Sequence, residues 1–438
     1  MNDAASRLRA RPAPSQAMID RMHLPSATLS PEPFAARAIS GPALTGASSI
    51  HRSTGPENRC RLEVRCTERD TFTEFHLTAT VLGPCDALDA CRAILDLLAD
   101  EITEKGIQPL QEKFYGRSAI RADVLRIRDA IYRQHDLDTS VPPTWLQGLP
   151  LHGCDLVGVQ VWGIAPRGGW SCVTTVEAGH GGRARLWTGR GFRMLHIPSV
   201  RGTHPDGRLP TSDSDQAELM FRNATSILAA QGFGYRHVKR TWIYVRRLLE
   251  WYDELNRVRS AFYATEGLEI GGGHAFPAST GIQCSCDGEE IMMDVLAFDT
   301  EGPQSATAVP LTTSSRQHQS FNYGSAFSRG MVFDIEGRRT IHVSGTASIN
   351  AAGASIHVGD AEMQSLETLL CIAALLETQG GTLEHITSAT LFCKDRHAYE
   401  AWQRVTRLLR VPHLPMISVI ADVCRDDLLV EMEAVATI

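Results

Sequence analysis

One pattern recurs through most of this 438-residue chain: strand, long helix, strand, helix, then two strands. It is clearest in the last third. Thr340 to Ser344 reads as a short strand running into a Gly- and Ser-rich turn, and Asp360 then caps a helix with Met363, Leu366, Leu370 and Ala374 on one face. Gly380 and Gly381 stop that helix. His385 to Cys393 is the next strand, Asp395 caps a helix reaching about Leu409, and strands follow at Met416–Val423 and Leu428–Ala436. A second copy runs through strand Phe192–Val200, helix Asp213–Gln231, strand Val238–Val245, helix Glu250–Ala264 and strand Ile291–Phe298. A fainter first copy fits Phe75–Val81, Ala87–Lys105, Gln108–Tyr115, Ala122–Arg133 and Leu156–Ile164. Loops are expected around 165–190 and 300–325.

A unit of this kind covers one sheet face with its two helices and leaves the other bare. Three copies can bury those faces together around a pseudo-threefold axis, with clefts between copies. The expected architecture is therefore α+β, with repeats at 60–185, 186–315 and 316–438 after a disordered tail at 1–59. That tail is rich in Ala, Pro, Ser and Arg and lacks the apolar stretch of a secretory signal. No apolar run is long enough for a membrane helix. A net charge of −7 gives no general attraction to nucleic acid or anionic membranes, and no basic stripe with interleaved aromatics is present. Eleven cysteines without paired spacing read as reduced thiols in a cytoplasmic protein. Cys284 and Cys286 lack the spacing of a zinc site, and neither a metal nor a cofactor is expected. The Gly271–Gly273 run reads as a flexible lead-in. A monomer or small homo-oligomer fits equally.

In the last strand, alternation places Leu428, Val430, Met432 and Ala434 on one face and Leu429, Glu431, Glu433 and Val435 on the other. Two carboxylates then point toward the inter-repeat side, where a desolvated carboxyl beside a like charge can act as a general acid. Alternation alone fits a solvated strand face as well. Cys424 precedes this strand, and the adjacent Arg425 would lower its thiol pKa. Ser344 to Ile349 (SGTASI) and Pro277 to Ile282 (PASTGI) read as loops offering hydroxyls and backbone N–H groups to an anion. Arg329 and Arg240 are candidates for bidentate pairing with carboxylates.

Five segments in order carry a resemblance: Arg240 to Val245 (RTWIYV), Pro277 to Ile282, Tyr323 to Arg329 (YGSAFSR), Ser344 to Ile349, and Cys424 to Glu431 (CRDDLLVE). Together with the triple repeat they resemble the chorismatases, built from domains like those of the YjgF-type reactive-intermediate deaminases. The resemblance implies that Glu431 protonates the enolpyruvyl methylene of chorismate, or of a close anionic relative, so that pyruvate is lost. It implies that Gly345 with Cys424 directs the product to 3-hydroxybenzoate, whereas Ala at both places goes with a dihydroxycyclohexadiene carboxylate. Arg329, Tyr323 and Arg240 would place the substrate carboxylates, with Ser344, Thr346, Thr280 and Gln364 completing the substrate site. Two alternatives stand beside this: an imine deaminase of the YjgF type, and a ligand-binding scaffold without chemistry. The deaminase lacks its expected arginine, because that position falls at Pro415–Met416 and at Ala278–Ser279. After Tyr244 the family pattern has a longer loop, where this chain has Val245 to Asp253, a more regular helix start, and Gln283-Cys284 replaces a family glycine.

Overall fold

The computed structural model describes residues 47–54, 60–179, 182–269, 274–284, 288–302 and 306–438. Cys286, Gly271–Gly273 and most of the expected tail lie outside the described residues.

Three six-stranded sheets share one strand order. The first contains β1 (Ala47–Thr54), β2 (Cys60–Glu68), β3 (Phe72–Val81), β4 (Gln108–Gly116), β5 (Thr144–Gln147) and β6 (Leu156–Pro166), in the order β1-β2-β3-β6-β4-β5. The second repeats that order with β7 (Cys172–Glu177), β8 (Arg183–Gly189), β9 (Phe192–Arg201), β10 (Val238–Val245), β11 (Ala278–Gln283) and β12 (Ile291–Thr300). The third does so with β13 (Ala306–Leu311), β14 (Gly330–Ile335), β15 (Arg338–Ala347), β16 (Ile386–Cys393), β17 (Met416–Ile420) and β18 (Val430–Thr437). Each sheet carries two helices: α1 (Ala87–Lys105) and α2 (Arg121–Gln134), α3 (Asp213–Ala230) and α4 (Leu248–Thr265), α5 (Ala361–Glu377) and α6 (Arg396–Leu408).

The repeat is thus longer than the sequence pattern suggested, because two further strands precede each expected unit. β1 falls inside the segment expected as tail, and β7, β8 and β13 fall where loops were expected. SGTA is the end of strand β15, and ASTGI, also expected as a loop, lies in β11, parallel to β10.

Side-chain oxygens of Asp86, Ser212, Asp360 and Asp395 cap α1, α3, α5 and α6 by accepting bonds from first-turn N–H groups. On α5 the buried stripe includes Ala361, Ser365, Thr368, Ile372 and Leu375, while Met363 and Leu370 are exposed. The expected face of that helix was turned, because apolar residues occur on nearly all its sides and the period gives little direction.

Each sheet buries one face under its own helices. The other faces meet in one shared core, to which Trp162 and Ile164, Trp187 and Trp242, and Phe333 and Phe392 contribute from the three sheets. The chain closes as a ring. β4 packs against β7–β9, β11 against β14 and β15, β16 against β2 and β3, and β17 against β3 and β6. Backbone bonds between Leu149 and Ile420 join the third repeat to the first, and Ser328 N–H donates to Pro277 C=O between the second and third. No described helix is long and apolar enough to cross a membrane.

Candidate active site

The candidate site begins with the pleat of β18. Val430, Met432, Ala434 and Ala436 enter the apolar layer under α5 and α6. Glu431 and Glu433 therefore point inward, where they are 4% and 7% exposed. Across the sheet, Glu431 stands opposite Ala347 of β15 and Phe392 of β16.

Room for the Glu431 carboxyl comes from Gly345. The β15–β18 register slips between Val343 and Thr346, an irregularity that re-aims the backbone beside the acid. A Cβ at residue 345 would lie 2.1 Å from Glu431 Oε1 and 3.2 Å from Thr280 Cγ2. Glycine is needed here for close approach.

The two glutamates differ in what surrounds them. Glu433 accepts bonds from Thr280 Oγ1 at 2.6 Å, Arg240 Nη2 at 2.8 Å and Lys113 Nζ at 3.4 Å. Burial pushes its carboxyl up, but the charges of Lys113 and Arg240 prevail and hold it below the usual range. Glu431 has no such pair of cations. Burial first, and the neighbouring Glu433 charge second, push it up to about 8 against a partial offset from Arg240. At neutral pH Glu431 is a carboxylic acid and Glu433 a carboxylate. Burial and the nearby Glu431 push the Cys424 thiol up to about 12, overriding Arg425. The expected activation of Cys424 by Arg425 is thereby corrected: desolvation outweighs the guanidinium, which donates instead to Gly353 C=O at 2.7 Å.

Glu431 faces a cleft between the second and third repeats. Tyr252, Arg259, Ser279 and Gly281 line it from one side, and Ser325, Phe327, Arg329, Gly345, Ala347, Ile349, Cys424 and Arg425 from the other. Arg329 is anchored by bonds from Nε and Nη2 to His318 C=O at 3.1 and 3.0 Å. Arg259 donates to Asn256 Oδ1 at 2.6 Å, while its buried Nε–H meets no acceptor among the described residues. Burial holds the Tyr252 phenol well above its ordinary range, so it is a neutral donor. The arrangement offers guanidinium groups for carboxylates, an apolar wall for a ring, and one proton on Glu431.

Of the residues expected from sequence, Glu431, Cys424, Arg329 and Gly345 come together in this cleft. Arg240 lies behind Glu433, donating to it and to Thr280 Oγ1 at 2.6 Å. The Thr280 hydroxyl also accepts from Gly345 N–H at 3.0 Å, so it joins Gly345 to the Glu433 network. Ser344 is fully buried, donating to Ser328 C=O and accepting from Ser279 N–H. Thr346 donates to Ser344 C=O. Gln364 clamps the turn before β18, donating to Asp427 C=O at 2.8 Å and accepting from Leu429 N–H at 2.7 Å. These five hold the walls of the site and do not line the cleft. The side chain of Tyr323 lies outside the described residues.

Sequence reasoning passed over Tyr252 and Arg259. They lie seven residues, about two turns, apart on α4, a spacing that puts both on one helix face. That period was the available signal. A break at Trp251 (φ −143°, ψ 22°) sits in the segment read as a regular helix start, immediately before Tyr252.

Residues 325–438 match the family model described as Endoribonuclease L-PSP. A solved chorismatase structure matches with a TM-score of 0.53 and 18% identity, over 75% of this chain and 92% of that one. The three-repeat architecture is therefore a fold shared with a chorismatase. Shorter matches include the YjgF gene product from E. coli (20% identity, 24% of this chain and 79% of that chain, TM-score 0.22). Another is the YyfA protein from Yersinia pestis (21% identity, 30% and 100%, TM-score 0.26).

Proposed function

We propose that this chain is a chorismatase-like enzyme that removes pyruvate from chorismate or a close enolpyruvyl ether. The observation that carries the reading is Glu431: a buried carboxyl with its pKa pushed up to about 8, aimed into a cleft with Arg259 and Arg329. An enol ether reacts by taking a proton at its methylene carbon, which needs an acid that is still protonated at working pH. Glu431 gives that proton. The bond between ether oxygen and ring carbon then breaks, its electron pair staying on oxygen as the pyruvate carbonyl forms. The cation left on that ring carbon is taken by the oxygen of the adjacent ring hydroxyl, which bridges the two carbons. Its bond to its original carbon then opens, and loss of the hydrogen from the carbon that now holds the oxygen aromatises the ring and returns a proton to Glu431. Chorismate's atoms thus divide between pyruvate and 3-hydroxybenzoate without added water. Arg259 and Arg329 pair with the two carboxylates, and Phe327 and Ile349 pack on the ring. Gly345 beside the neutral Cys424 thiol supports 3-hydroxybenzoate as the aromatic product.

The test is pyruvate release from chorismate by purified protein, read with a coupled dehydrogenase, with the ring product identified by chromatography. Glu431→Gln is expected to lose at least a thousandfold in rate with an unchanged circular dichroism spectrum. Folded wild-type protein that releases no pyruvate would overturn the reading. Ammonia from a 2-imino acid would instead mark an imine hydrolase.

A further inference from the structure

Among the described residues, the first repeat supplies no group to the lining of the cleft, yet its Lys113 reaches the carboxylate directly behind the acid. Lys113 Nζ lies 3.4 Å from Glu433 Oε1 and 4.2 Å from the centre of the Trp242 ring, and its side chain is 5% exposed. From the second repeat, Arg240 and Thr280 grip the other oxygen, Oε2. Glu433 is thus held at a point where all three repeats meet, and its two cations come from two different sheets.

The strand registers show which positions correspond between repeats. Trp242 is opposite Asp294 on one side and Thr280 on the other, while Thr390 is opposite Glu433 and Lys113 is opposite Thr144. Asp294 is therefore the counterpart of Glu433, and Thr144 that of Thr280. Thr144 Oγ1 indeed donates to Asp294 Oδ2 at 2.7 Å across the junction of the first and second repeats. A threonine–carboxylate clasp recurs at both junctions. Two residues earlier on the strand, the second repeat has Met292 where the third has Glu431. In the third repeat alone, an acid stands in front of the clasp.

We propose that Glu433 is a positioning residue for the candidate acid: clamped by Lys113 of the first repeat and by Arg240 and Thr280 of the second, it presents a fixed negative charge behind Glu431 that, added to burial, keeps that carboxyl protonated. This deepens the proposed function and rests on it for its catalytic meaning, but not for the electrostatics. The other charged or titratable groups around Glu431 are Arg240 of β10, Tyr252 and Arg259 of α4, Arg329 beside β14, and Cys424 and Arg425 before β18. Tyr252 and Cys424 are neutral, so Glu433 is the anion among them. Thr280 sets the spacing, because it bonds both Glu433 and the N–H of Gly345, the residue whose missing Cβ leaves room for the Glu431 carboxyl.

The experiment is a pH titration of the protonated-carboxyl stretch of Glu431 by difference infrared spectroscopy, with the band identified by its absence in Glu431→Gln. No substrate is involved. In Glu433→Gln the midpoint should fall by about one pH unit or more. Because that variant leaves Lys113 and Arg240 without their counter-ion, a second one, Lys113→Met with Glu433→Gln, keeps the buried charge balanced. It should show the same fall. A midpoint unchanged in the folded double variant would overturn the proposal and reduce Glu433 to a structural clasp. Loss of the proposed function would look different: the midpoint would still fall, with no pyruvate formed by wild type.

Discussion

Keeping Glu431 protonated gives the cleft a transferable proton and costs the fold stability. Its pKa rises from 4.5 to about 8 on folding, so between those values the folded state binds more protons than the unfolded state. Stability therefore falls as pH rises through this window. Glu431→Gln should remove that loss, stabilising the protein by roughly 3–4 kcal/mol at pH 7 to 8 and by almost nothing at pH 4. Chemical denaturation at both pH values checks the sign. Activity has the same origin: pyruvate release should hold through neutral pH and decline above about 8 as the proton is lost. Gly345→Ala tests the space around the acid. The new Cβ meets the end of a flexible side chain, so the fold should lose only about 1–3 kcal/mol. The displaced carboxyl should cost far more in rate, or change the ring product. Alternation alone placed both glutamates on the inner face. Alternation did not separate the two and only the resemblance singled out Glu431, because what distinguishes them physically is Arg240 and Lys113, 193 and 320 residues from Glu433.

At the scale of elements, the helices and inner strands were readable because caps and periodicity are local. Of the missed strands, β1, β7 and β13 lie at one edge of each sheet, where a strand has a single neighbour. β7 is largely exposed along its length, and β13 contains Pro310, which an edge tolerates and a central strand does not. The loops expected at SGTASI and PASTGI were mistaken for a related reason: Gly and Ser there serve close packing between repeats. Gln364 shows how one helix controls the site without entering it. Gln364→Ala strands the partly buried Leu429 N–H and Asp427 C=O, with an expected cost of about 1–3 kcal/mol. It also loosens the turn that delivers Cys424 and Glu431. A purely structural role would lower the melting temperature alone. Loss of pyruvate release at temperatures where the variant remains folded would show that the clamp positions the acid.

For the whole molecule, three repeats solve a problem that one cannot. The inner face of the third sheet carries Phe333, Ile349, Phe392 and Leu428, all buried in the core it shares with the other two. It also carries Glu433, whose two cations belong to the first and second repeats. Cut out alone, residues 306–438 would expose that apolar face and leave Glu433 without Lys113 or Arg240. A patch of this kind drives association, and the ring of junctions suggests its geometry. The isolated segment should therefore form a trimer or an aggregate and not a stable monomer. Size-exclusion chromatography with light scattering distinguishes these states. A monodisperse monomer with native-like circular dichroism would mean that the inner face can be buried within one repeat, against the closure described here. In a homotrimer of this segment, Pro415 and Met416, with Ile417 where the second repeat has Thr280, would face Glu431 and Glu433 in place of β11. Even a well-formed trimer should thus lack both the clasp and the activity. Restoring either would require the second repeat's Arg240 and Thr280.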